Sequence, residues 1–225
     1  MALWLKSTPD ICPIEREPAH RVPGLCFLPV FLFAIVRKLL PQLPRAGALH
    51  AARATFRQGG VLAYATESCF GLGCDPFNVS AIRRILAIKA RPNHKGLIVI
   101  AANLDQLRPL IRPLTSAQLA VVNRYWPGPY TFLLPASRRV PQLLRGRHDK
   151  IAVRITAHGP AAALCLALGS PLVSTSANRA GQKSLRTARA CRLAFGEQVL
   201  TLDGRIGKRR KPSTIIDLDS GRVLR

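Results

Sequence analysis

The sequence predicts an α/β fold, a twisted and mostly mixed β-sheet flanked by helices, and three observations carry that expectation. Short apolar or β-branched runs alternate with stretches of helical spacing along most of the chain. Gly, Pro and Asn punctuate the boundaries between them. Finally, 225 residues of which 48% are apolar and only 6% aromatic supply a core of Ala, Leu, Ile and Val. Such a composition excludes the disordered, collagen-like and mucin-like classes.

Residues 1–44 stand apart as a poorly ordered N-terminal extension, or one begun at an upstream start, and residues 45–225 as one domain. The extension is rich in Pro and holds one apolar run, Leu25–Val36, shorter than the roughly 20 residues a bilayer span needs. Asp10, Glu15 and Glu17 ahead of that run argue against an export signal. From Arg45 the pattern turns regular. Arg45–Arg57 reads as a helix closed by Gly59-Gly60, and Val61–Ala65 as a strand. Asn78 caps a helix through Arg91, with Ile82, Ile85, Leu86 and Lys89 at three- and four-residue spacing and Pro92 as its stop. Strands are predicted at Leu97–Ala101, Tyr130–Leu134, Ile151–Ile155, Leu172–Thr175, Val199–Leu202 and Thr214–Asp217. Helical stretches fall at Leu104–Ile111, Ser116–Tyr125, Gly159–Leu168 and Thr187–Phe195. Trp126-Pro127-Gly128-Pro129 reads as a rigid packing corner.

Charge is the extreme feature: 34 Lys and Arg against 11 Asp and Glu give a net +23, which attracts polyanions such as nucleic acid and nucleotide phosphates. The six cysteines form no CxxC pair and have no His at ligand spacing, so a zinc site is not expected. Several lie in apolar stretches as reduced cysteines do, which suits a reducing, cytoplasmic compartment.

No phosphate-binding loop of the GxxxxGK[ST] type, no dinucleotide fingerprint and no GxSxG elbow is present. Polar residues gather instead at the ends of apolar strands, where open sheets place ligands: Thr66-Glu67-Ser68, and Ser174-Thr175-Ser176-Ala177-Asn178. Either run alone is ordinary turn chemistry. Glu67 reads equally as a site carboxylate and as a turn charge without catalytic duty. A third element is the turn Lys89-Ala90-Arg91-Pro92-Asn93-His94-Lys95-Gly96. Cations in a last helical turn complement the helix dipole, worth about 0.3–1 kcal/mol, but Lys95 lies beyond that turn. Three cations around one turn repel unless a polyanion sits among them, so a phosphate group is the natural guest.

These segments, together with Tyr64-Ala65-Thr66-Glu67-Ser68-Cys69-Phe70-Gly71-Leu72-Gly73-Cys74-Asp75-Pro76, Trp126-Pro127-Gly128-Pro129-Tyr130-Thr131, Ala152-Val153-Arg154 and Pro212-Ser213-Thr214-Ile215-Ile216-Asp217, closely resemble the YrdC family in order and spacing. The resemblance runs from about residue 45 to the C-terminus. It implies the YrdC-like fold with a concave, basic face, in the short form without a second domain. It also implies threonylcarbamoyl-AMP synthesis from L-threonine, bicarbonate and ATP, with Mg²⁺ accompanying the nucleotide. Partner proteins then move the threonylcarbamoyl group onto tRNA beside the anticodon. One departure is visible, since Ala65-Thr66-Glu67-Ser68 stands where the family usually has Pro-Thr-Glu-Thr.

By this resemblance Lys89 and Arg91 are catalytic, and Lys89, Arg91, Lys95, Ser176, Asn178, Arg186 and Arg225 contact ATP. Thr66, Arg154, Ser176 and Ser213 contact L-threonine, with Arg154 suited to a bidentate pair with its carboxylate. The competing class is a tRNA- or double-stranded-RNA-binding protein without catalysis. The clusters Arg138, Arg139, Arg145, Arg147, Lys150 and Arg205, Lys208, Arg209, Arg210, Lys211 would serve it. No RNP, KH or double-stranded-RNA signature accompanies them, so RNA contact reads as auxiliary.

Overall fold

The computed structural model describes residues 44–225; the Leu25–Val36 run, Cys12 and Cys26 lie outside the described residues. In chain order the elements are α1 (Ala46–Arg57), β1 (Leu62–Ala65), β2 (Phe70–Gly73), α2 (Val79–Lys89), β3 (Ile98–Ala101), α3 (Leu104–Leu107), α4 (Ser116–Tyr125), β4 (Tyr130–Pro135), α5 (Gln142–Arg145), β5 (Lys150–Ile155), α6 (Gly159–Leu168), β6 (Leu172–Ser176), α7 (Ala188–Phe195), β7 (Leu200–Thr201) and β8 (Thr214–Asp217). Side chains start several of these helices: Asn78 Oδ1 accepts from Ala81 N at 3.0 Å, Asn103 caps α3, and Thr115 and Gln118 form a reciprocal capping box on α4.

The eight strands form one sheet in the order β7-β1-β2-β6-β3-β5-β4-β8. Pairs β1–β7, β3–β5 and β4–β8 are parallel and the others antiparallel, so the sheet is mixed as expected. Alternation along each strand sends neighbours to opposite faces. Val99 joins a large apolar cluster with Phe70, Leu72, Ile82, Ile85, Phe132 and Val153, covered by α2, α4 and α7. Ile100, next to it, joins a smaller cluster with Phe56, Leu62, Tyr64, Leu164 and Leu172, covered by α1 and α6. Each large apolar side chain buried this way stabilises the fold by roughly 1.5–3 kcal/mol.

Three expectations need correction. Strand β2 was not predicted, because Gly71 and Gly73 alternate with Phe70 and Leu72 and glycine lowers β-propensity. Glycine is required there all the same: a Cβ on Gly73 would lie 2.5 Å from the Val173 carbonyl oxygen and 2.7 Å from the Tyr64 ring. The helix expected through Arg91 ends at Lys89, since Ala90 takes a left-handed conformation (φ 47°) and the Arg91 N–H turns back to the Leu86 carbonyl at 3.0 Å. The helix expected over Leu104–Ile111 stops at Leu107, two residues before Pro109. The corner at Trp126 is as expected: its buried indole packs edge-on against Phe132, and its Nε1 donates to the Tyr130 carbonyl at 2.8 Å.

Candidate active site

The sheet face that α1 and α6 cover at one side is left open at the other. There Ala152, Ser174 and Ser176 present small side chains beside Ile98 and Arg154. In register across β5, β3 and β6, Ala152 pairs with Ile98 and Ile98 with Ser174; on the same face Arg154 lies one step beyond Ala152, beside Ile100, and Ser176 one step beyond Ser174 in the opposite direction. They line a cavity of about 950 Å³. Its walls are the Thr66–Cys69 turn after β1, the Arg91–Gly96 turn after α2, the Arg145–Lys150 loop before β5, the Arg210–Ser213 segment before β8, and the C-terminal Leu224 and Arg225.

Among the described residues, nine Lys and Arg side chains line this cavity against two Asp. Lys150 is held by Asp217 (2.7 Å) and Asp219 (2.6 Å), Arg145 stands 3.7 Å from Asp149, and Arg154 pairs with Glu67. Arg91, Lys95, Arg147, Arg186, Arg210 and Arg225 have no carboxylate partner among the described residues. Several are nonetheless fixed by backbone carbonyls: Arg91 Nη2 donates to Gly96 O at 2.9 Å, Arg186 Nη1 to Ser68 O at 3.1 Å, and Arg225 Nη2 to Ser213 O at 3.3 Å. Burial lowers the pKa of Arg91, with Arg225 adding repulsion, and burial with the nearby Arg154 lowers that of Arg225. An array of held, uncompensated cations is built for a polyanion.

Glu67 closes on Arg154 end-on, with Nη1 to Oε1 at 2.8 Å and Nη2 to Oε2 at 3.0 Å, and Thr156 Oγ1 donates to Oε1 at 2.6 Å. Burial alone would raise the Glu67 pKa, but the Arg154 guanidinium and the Thr156 hydroxyl outweigh it and bring the carboxyl below its ordinary range. Arg154 Nε is buried and has no acceptor. Beside this pair, Thr66 Oγ1 donates to Cys69 O at 2.7 Å, and Thr131 Oγ1 donates to Ser213 Oγ at 2.9 Å.

The family model described as "Telomere recombination" (Sua5, YciO, YrdC) matches residues 54–225. The chain belongs to the Sua5/YciO/YrdC family. Within that family it is 73% identical over 186 residues to a threonylcarbamoyl-AMP synthase of Chromobacterium violaceum, spanning 83% of this chain and 96% of the relative. E. coli YciO superposes with a TM-score of 0.70 at 28% identity, over 81% of this chain and 92% of its own. P. abyssi Sua5, solved in complex with L-threonine, superposes with a TM-score of 0.72 at 32% identity over 79% of this chain. That match covers 53% of the Sua5 chain, so this chain spans about half the length of that protein.

Of the ten residues this family resemblance singled out, eight line the cavity: Thr66, Arg91, Lys95, Arg154, Ser176, Arg186, Ser213 and Arg225. Lys89 and Asn178 do not line it. Lys89 is 5% exposed and stands behind the wall, its ammonium donating to Ser176 O (2.5 Å), Asn178 O (2.9 Å) and Asn178 Oδ1 (3.1 Å). Asn178 Oδ1 also accepts from Ser176 Oγ at 2.6 Å, so both residues shape the loop after β6. The other difference concerns Arg154, expected to form a bidentate pair with the carboxylate of threonine: each of its two Nη atoms already donates one hydrogen bond to Glu67. Sequence reasoning passed over Thr156, although it lies two residues beyond Arg154 and period-two alternation puts both on one face. It also left Arg145, Arg147 and Arg210 to an RNA surface, whereas they line the cavity.

Proposed function

We propose that the chain is a threonylcarbamoyl-AMP synthase, joining L-threonine, bicarbonate and ATP into threonylcarbamoyl-AMP with release of pyrophosphate. The observation that carries this reading is the single cavity in which six uncompensated cations stand beside the carboxylate-paired Arg154 and the hydroxyls of Thr66 and Ser213. In the reaction the threonine amine adds to bicarbonate with loss of water. An oxygen of the resulting carbamate then attacks the α-phosphorus, and pyrophosphate departs with the bond electrons.

Negative charge moves onto phosphate oxygens in that step, and fixed donors there lower the barrier. Arg91, Lys95, Arg186 and Arg225 hold the triphosphate; Thr66, Arg154, Ser176 and Ser213 hold threonine. Lys89 and Asn178 keep the Ser176 loop in place behind them. Among the described residues no three His, Cys, Asp or Glu side chains come together as a metal cluster. Mg²⁺ would accompany ATP and supply charge neutralisation to its phosphates. The cellular setting that fits is cytoplasmic, with proteins that transfer the threonylcarbamoyl group to tRNA as consumers of the product. None of the described helices is long and apolar enough to cross a membrane. The test is pyrophosphate release from ATP by the purified chain: it should require both L-threonine and bicarbonate, and release without either one contradicts the reading.

A further inference from the structure

Of the nine cations that line the cavity, six have no carboxylate partner among the described residues, Arg145 and Lys150 face Asp side chains at its rim, and Arg154 has its charge cancelled by Glu67 at 2.8 and 3.0 Å. Arg154 and Glu67 side chains are only 9% and 15% exposed, so water screens the pair little. The pairing is end-on, which uses one hydrogen on each Nη and leaves the lateral edge unused, including the buried, unpartnered Nε–H. Thr156 fixes the carboxylate from the other side at 2.6 Å. The turn that carries Glu67 is clamped as well, since Gly207 N donates to Thr66 O at 2.9 Å and Arg209 N to Glu67 O at 3.1 Å.

We infer that Glu67 is a specificity-determining positioning residue: it holds Arg154 end-on at the cavity wall, and it keeps that site electrically neutral so that it accepts a zwitterionic amino acid and refuses polyphosphate. Without such a counter-charge Arg154 would be a seventh open cation in a cavity built for a triphosphate, and the more highly charged ligand would occupy both places. With it, a single carboxylate still finds an unused N–H on the Nη atoms of the guanidinium, and the ammonium of the same molecule meets no net positive charge at that place. This inference rests on the reading of the chain as a threonine-using synthase.

The test is Glu67→Gln, which keeps the side-chain size but removes the charge and sets an amide N–H against Arg154. Calorimetric titration of the parent and the variant with L-threonine, ATP and inorganic pyrophosphate reads the inference without turnover. Threonine affinity should fall about 10- to 100-fold, the scale for disrupting a buried charged hydrogen-bond pair, while ATP affinity stays within about twofold. Pyrophosphate should compete with threonine in the variant and not in the parent. Equal losses for threonine and ATP, unchanged threonine affinity, or a parent that binds no threonine would each overturn it. If Glu67→Gln does not fold, Glu67→Asp decides: the charge remains, so pyrophosphate stays excluded while threonine weakens, and unchanged threonine binding contradicts the role. A parent that binds threonine but makes no threonine-dependent pyrophosphate would sink the synthase reading alone.

Discussion

Lys89 carries its charge where almost no water reaches it. Burial, with the Arg91 guanidinium close by, pushes its pKa down to about 8 from the ordinary 10.5. Its ammonium holds Ser176 and Asn178, and its own carbonyl accepts from Ala180 N at 3.0 Å, so the charge and the loop after β6 are one unit. Activity should therefore fall as pH rises through about 8, where the ammonium releases its proton, and Lys89→Arg should move that limb to higher pH. A pH–rate profile of both proteins checks it. Stability has the opposite sign: between about 8 and 10.5 the unfolded chain holds more protons at this site, so the Lys89 contribution to stability rises across that window. Arg91→Ala removes a donor facing the cavity and should lower turnover about a hundredfold with the fold intact by circular dichroism. At this scale the sequence singled out side chains of which most line the cavity, and not how they pair. Nothing in the chain order joins Arg154 to Glu67, 87 residues away, or turns Lys89 inward while Arg91 faces the cavity.

Elements were more legible, because periodicity and capping are local. Asn78, the Trp126 corner and the apolar spacing of α2 could be read in sequence order, and each is in place. Strand β2 was hidden because its two glycines answer a tertiary demand, the close approach of Val173 and Tyr64, and not a local propensity. Helix α5 escaped because four residues carry too little periodicity to register. Two outcomes follow. Asn78→Ala should destabilise the fold by about 1 kcal/mol through loss of the α2 cap, measured by urea denaturation. Gly73→Ala should cost about 1–3 kcal/mol, because backbone and ring both stand in the way of the new methyl, and its melting temperature should fall accordingly.

For the whole molecule, the net charge of +23 and the six uncompensated cavity cations favour anions at long range. The KM for ATP should accordingly rise with ionic strength more steeply than that for threonine, whose site is neutralised by Glu67. Among the described residues, those that line the cavity lie between Thr66 and Arg225. A chain lacking residues 1–44 should keep its activity, and an inactive but folded truncation would put part of the site in that segment. The most direct measurement is mass spectrometry of the product formed from ¹³C-bicarbonate, L-threonine and ATP. The account predicts labelled threonylcarbamoyl-AMP and pyrophosphate in equal amounts; pyrophosphate with AMP and no labelled adenylate, or no turnover at all, would contradict it.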